Sequence, residues 1–192
     1  MPTTQKSPLL KVMLAILSFA CLFTVFFWHN KEATSNLVEA ESLSKSPDYF
    51  ITEITVQTFD NNGVLIEHLQ AQQASHFIQE SKTLLDRPNV ERHSTTGSWN
   101  ATADSGIIHD GSNDILLTSN ANATKTYPTS ENIALSANKI HYLDNDQSLT
   151  SQGDAKLFST QGTTSAKKIT TYINSEKVVM TGLVQGHYET SH

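Results

Sequence analysis

The chain has 192 residues, one cysteine and 19 acidic against 13 basic side chains, for a formal net charge of −6. That balance disfavours nucleic acid or an anionic membrane surface as a partner. The lone cysteine, Cys21, leaves stability to packing and backbone hydrogen bonding rather than to disulfides.

Leu9 to Trp28 is the most apolar stretch, interrupted only by Lys11, Ser18, Cys21 and Thr24. About 20 apolar residues cross the hydrocarbon of a bilayer as a helix. Lys11 can carry its ammonium to the headgroups at one end, and Trp28 takes the usual interfacial place of its ring at the other. Two cleaved readings compete with a retained anchor. A secretory signal needs an A-x-A-like site, which "HNKEATSN" does not offer. A lipoprotein signal needs small residues before its cysteine, whereas Cys21 follows Phe19 and Ala20 and the apolar run continues beyond it. The retained single transmembrane helix over 9–28 is therefore the expectation. Lys6, Lys11 and the α-amine lie before or at the start of the span and only Lys31 closely follows it, so residues 1–8 are expected in the cytoplasm and everything after Trp28 outside. Residues 29–47 are polar and without period, a flexible stalk or else an irregular first piece of the domain.

From 48 to 188 the pattern changes, with 189–192 left as a tail. Thr, Ser, Val, Ile and aromatic residues run in short stretches punctuated by Asn, Asp and Gly about every 8–12 residues, as in an all-β sandwich, barrel or roll. Asn62-Gly63 between "ITEITVQTF" and "VLIEHLQA" predicts a hairpin with a type I′ turn. "HDGSND" (109–114), "DNDQ" (144–147) and "NSEK" (174–177) predict further turns. No stretch has a capped 3.6-residue period, so little helix is expected beyond the anchor. The later hairpins repeat: Ala137 and Ala166, Ile140 and Ile169, and Gly153 and Gly182 all keep one spacing, and Ala74 and Ala103 keep the same spacing in looser earlier copies. Repeated hairpins stack to bury a face that none can bury alone. Alternation puts Ile133, Leu135 and Ala137 on one face, and likewise Ile140 with Tyr142, Ile169 with Thr171 and Ile173, and Val178 with Met180. The mixture of small and large residues on the apolar side suits a tapered core or a greasy groove.

Catalytic constellations are not found. There is no G-x-S-x-G, H-E-x-x-H, Walker loop or CxxC. The eight histidines are scattered without metal-ligand spacing, His68 and His76 falling to either side of a strand end. "DNDQS" lacks the glycine and glutamate of a calcium loop and reads as a turn. Asn100 and Asn122 begin sequons that occur often by chance. The chain is expected to be no enzyme and to need no cofactor or metal.

The apolar span, the polar stalk and the hairpin repeats together resemble the LptC family of the Gram-negative lipopolysaccharide exporter. The local matches are "PDYFITEITVQTFDNNGVLIEHLQAQQASHF", "LLDRPNVERH", "WNATAD" from Trp99, and "GTTSAKKITTYINSEKVVMTGLV". The last departs from the family pattern, with Thr163 and Thr164 in apolar places. The resemblance implies an antiparallel β-jellyroll that holds the acyl chains of lipopolysaccharide. It implies docking to the inner-membrane ABC transporter subunits through the anchor and the first strand (Tyr49 to Phe59), and to the bridge protein LptA through the last (Val178 to Tyr188). The alternating apolar residues Ile54, Val56, Leu65, Leu69, Phe77, Leu85, Trp99, Leu135, Ile140, Tyr142, Leu157 and Ile169 are the expected groove, shared with the ordinary core. Gly63 and Gly162 are carried over as family glycines. A membrane-tethered scaffold that binds only proteins is the competing class.

Overall fold

Alternating runs and polar turns become strands throughout residues 46–128, 131–175 and 177–188, the residues that the computed structural model describes. They belong to one unit, Ser44–His192. The expected cytoplasmic segment and anchor, and all of the stalk up to residue 45, lie outside the described residues. Among the described residues, no helix is long and apolar enough to cross a membrane.

The strands are β1 (Tyr49–Phe59), β2 (Leu65–Phe77), β3 (Lys82–Asp86), β4 (Asn89–Ser94), β5 (Gly97–Thr102), β6 (Ser105–His109), β7 (Ile115–Thr126), β8 (Ile133–Leu143), β9 (Ser148–Ser159), β10 (Gly162–Tyr172), β11 (Val178–Thr181) and β12 (Gln185–Tyr188), with one 3₁₀ turn at Ile78–Glu80. They form a single antiparallel sheet of jellyroll type in the order β11-β10-β9-β8-β7-β5-β4-β2-β3-β6. β1 pairs β2, β12 pairs β10, and β6 returns to β7.

The long strands are bent, and the bends align. Ser119 and Asn120 in β7 and Gly153 and Asp154 in β9 are consecutive residues with positive φ, as are Gly182 and Leu183 between β11 and β12. The register slips between Thr118 and Ala121, between Ser136 and Lys139, and between Ala166 and Lys168. Such bulges bend a strand and increase its twist. Together they make a crease that divides the sheet into two facing halves. β3 and β6 lie in one half, β4 and β5 in the other; β2 meets β3 beyond the crease and β4 before it.

The crease explains the repeat. A Cβ on Gly153 would come within 2.9 Å of Asn138, and one on Gly182 within 3.1 Å of Lys167. Asn138 and Lys167 directly follow the repeated Ala137 and Ala166, so each copy contributes one fold of the crease. Buried Ala71, Ala74, Ala121, Ala123, Ala137, Ala155 and Ala166 flank it, because only small side chains fit where two half-sheets converge. Larger ones, among them Leu69, Trp99, Leu135, Ile140, Tyr142 and Ile169, fill the widening wedge. Burying each contributes about 1.5–3 kcal/mol. The parity change from Leu135 and Ala137 to Ile140 and Tyr142 falls where β8 crosses the crease between the extra residues of β7 and β9, and both pairs are buried.

Three expectations need correction. The 60–64 hairpin is not a type I′ turn. Asn61 and Asn62 keep negative φ and only Gly63 is positive, at 80°. Gly63 N–H donates to Asp60 O at 3.0 Å, and the Asp60 carboxylate accepts from Val64 N and Asn62 N at 2.8 Å each. These backbone donors, Val64 foremost, hold the Asp60 carboxyl below its usual range. The Asp60 side chain thus stabilises a three-residue loop that Asn-Gly alone does not predict. The last strand, expected unbroken from Val178 to Tyr188, is split at the crease into β11 and β12. His68 and His76 both lie within β2.

Candidate functional site: the interior and mouth of the roll

The inner surface is built by period-two alternation on either side of the crease. Leu69, Leu85, Trp99, Leu135, Ile140, Tyr142 and Ile169 are buried there, and Ile54 and Leu157 pack against them. Leu65 shares its parity with Leu69 but stands half-buried at the strand start. Val56 pairs with Leu69 yet is exposed, because β1 is an edge strand with β2 as its neighbour. Phe77 departs from the expected set. It lies three residues beyond buried Ala74 in a regular ladder, which turns it to the outer face, with the Lys82 ammonium 6.0 Å from its ring.

Inside the wedge, Val90, Ala101, Ile115, Leu117, Leu149 and Ile173 join Trp99 and Tyr142 around an apolar cavity of about 20 Å³. Beside it lies a wetter cavity of about 310 Å³, lined by Val56, Thr58, Leu69, Ile108, Ser112, Asn113 and Asp144 among others. Glu67, Arg92 and Ile115 line both cavities. The residues that separate dry interior from wet mouth are therefore two charges and a branched apolar side chain.

The charges form a network that the sequence reading missed. The Arg92 guanidinium donates to Glu67 at 2.8 Å and to Gln147 at 2.9 Å, and lies 3.4 Å from Asp144. It also stacks 4.8 Å above the Tyr142 ring. Tyr142 O–H donates to Asp144 Oδ1 at 2.7 Å, and Gln147 donates to the same carboxylate at 3.0 Å. The tyrosine hydroxyl, first among its partners, lowers the Asp144 pKa. Burial, followed by the hydrogen bond to Asp144, raises that of Tyr142 far above the usual phenol range. The signal was present. Glu67 stands at the inward parity between Leu65 and Leu69, and Arg92 two residues beyond Val90. A charge on an inward-facing strand position is costly unless paired, so such positions mark a network. Lys125 is a second case: it is 1% exposed, donates to Thr96 Oγ1 at 2.8 Å and lies 4.6 Å over the Tyr127 ring.

Both family glycines have structural roles. Gly63 has open space where its Cβ would be, while a Cβ on Gly162 would meet His187 O at 2.0 Å. Gly162 thus lets β12 approach β10. Among the described residues no group of three His, Cys, Asp or Glu side chains could hold a metal ion.

A family model described as lipopolysaccharide-assembly, LptC-related, matches residues 14–189. No curated protein matches the sequence. Among solved structures, LptH of Pseudomonas aeruginosa, described as the LptA-homologous periplasmic component of the conserved lipopolysaccharide transport device, superposes with a TM-score of 0.55. The identity is 12%, over 65% of this chain and 95% of that one. A likeness at that identity speaks for a shared fold.

Proposed function

The chain belongs to the LptC-related family of lipopolysaccharide-assembly proteins, and from that premise we propose that its roll takes the acyl chains of lipopolysaccharide from the inner-membrane transporter and passes them to the periplasmic bridge protein LptA. The observation that carries this reading is the wedge itself: an apolar interior between two half-sheets, with a mouth held by the paired side chains of Arg92, Glu67 and Asp144. Each methylene withdrawn from water contributes ~0.8 kcal/mol, so a continuous dry interior is what a lipid crossing an aqueous space requires. The inward residues Ile54, Val56, Leu65, Leu69, Leu85, Trp99, Leu135, Ile140, Tyr142, Leu157 and Ile169 are its walls.

Residues 9–28 anchor the chain in the inner membrane with the N-terminus in the cytoplasm. Residues 29–47 form the stalk, 48–188 the periplasmic roll and 189–192 the tail. The outer edge of β1, carrying exposed Tyr49, Phe50 and Ile51, receives a strand of the transporter. The edge formed by β11 and β12, with exposed Leu183 and Tyr188, receives a strand of LptA. Open edges of this kind aggregate unless a partner covers them.

A photo-crosslinker at Leu135, Leu157 or Tyr142 in living cells is expected to capture lipopolysaccharide, and one at outward-facing Lys156 is not. Protein adducts alone at every inward position would favour the scaffold reading instead.

A further inference from the structure

Among the described residues five buried side-chain atoms have no hydrogen-bond partner: His68 Nε2 and His76 Nδ1 on β2, and three others within the roll, the hydroxyls of Ser151 and Thr171 and the indole N–H of Trp99. Ser151 is fully buried, and Thr171 and Trp99 are each 2% exposed. The register gathers them. Ser151 pairs with Ile140 on one side and Ile169 on the other. Thr171, two residues beyond Ile169, faces the same way and pairs with Leu149. Trp99 comes from the opposite half-sheet and meets Leu149, Tyr142 and Ile173 around the apolar cavity. Donors from both halves therefore face one stretch of an otherwise apolar interior. On the other face of the same strands, Thr150 and Thr170 are 3.2 Å apart and satisfy each other.

An interior made only for hydrocarbon has no use for these groups. Alanine at 151 and valine at 171 would occupy similar space without an unmet hydrogen bond. The geometry points to a polar rung inside the roll that recognises an acyl chain bearing oxygen, as a hydroxyl or an ester or amide carbonyl. This inference rests on the reading that the interior takes acyl chains, and it adds which chains are preferred. The sign of the preference is diagnostic. Moving a hydroxyl from water into an apolar site is unfavourable unless a hydrogen bond replaces the lost one. A purely apolar groove therefore favours the plain chain, whereas a groove with waiting donors favours the oxygenated one.

Two probes differing by one hydroxyl test this: 3-hydroxytetradecanoate and tetradecanoate, each measured by equilibrium dialysis against the full chain held in amphipol. The parent protein is expected to bind the hydroxylated chain about tenfold more tightly, the effect of one or two net hydrogen bonds. The double variant Ser151→Ala/Thr171→Val should lose that preference while binding tetradecanoate at least as well and melting no lower than the parent. Trp99→Phe, which keeps an aromatic ring and removes the N–H, should lose part of the preference and serves if the double variant does not fold. Equal binding of the two probes by the parent, or a preference for tetradecanoate, overturns the rung, as does a preference that stays undiminished in the variants. If the parent binds neither probe, the acyl-groove reading itself falls and the rung with it.

Discussion

Arg92 holds the boundary between the dry wedge and the wet mouth, and its surroundings fix what its removal does. Arg92→Met leaves Glu67 half-buried without its cation and takes a partner from Asp144. Breaking such a pair costs about 3 kcal/mol, whereas removing both members can be nearly neutral. Urea unfolding should therefore show a large loss for Arg92→Met and substantial recovery in Arg92→Met/Glu67→Leu. Equal losses in the two variants would mean that Arg92 acts by packing on Tyr142 alone. Asp144 gives the network a pH dependence. Its carboxyl is lowered in the folded state, first by the Tyr142 hydroxyl. It therefore contributes stability that is present above the unfolded value near 3.8 and is lost as pH falls through the folded value. Asp144→Asn should lower Tm at neutral pH, and the difference from the parent should close as pH falls below about 4. A difference that stays constant across that range would remove Asp144 from the acid response.

At the scale of the strand, the bends matter more than the ladders. The sequence repeat located the strands and most turns because alternation and turn residues are local signals. It did not reveal the crease. Positive φ at Ser119 and Leu183 is imposed on residues with no special liking for it, by the need of two half-sheets to face each other, while Asn120 and Asp154 tolerate it. Only Gly153 and Gly182 were visible beforehand, as repeat positions without a stated purpose. Phe77 was assigned inward for a related reason: the face inverts in the middle of β2, and a single parity carried along the strand gives the wrong side. The two family glycines separate local turn from strand approach. Gly63→Ala meets nothing within 4 Å at a φ of 80° and should cost about 1 kcal/mol. Gly162→Ala drives a methyl group into the backbone of His187, so β12 must leave β10. Hydrogen exchange should show residues 185–188 losing protection in Gly162→Ala while β8 and β9 keep theirs. Retained protection there would mean that β10 can shift to accommodate the methyl group.

For the whole roll, the unpaired edges decide what the molecule can join. The inward-facing apolar residues were legible because burial follows alternation, and the charged network was not, because it draws on residues distant in sequence, Glu67, Arg92 and Asp144, that only the facing of the halves brings together. The edges were legible only through family resemblance, since nothing local tells an edge strand from a central one. In the structure β1 pairs with β2, and β11 and β12 pair with β10, which leaves one outer edge at each end of the path. If these edges take different partners, they must fail separately. Replacing exposed Phe50 and Ile51 on β1 by glutamate should reduce co-purification with the transporter subunits at least about tenfold, because a charge on an edge strand opposes strand addition. Capture of LptA should be unchanged in that variant. Deleting residues 185–192 should do the reverse. Loss of both partners from either change, with the roll still folded by circular dichroism, would show that the two edges do not act independently and that strand addition at opposite ends is the wrong description of how the bridge is joined.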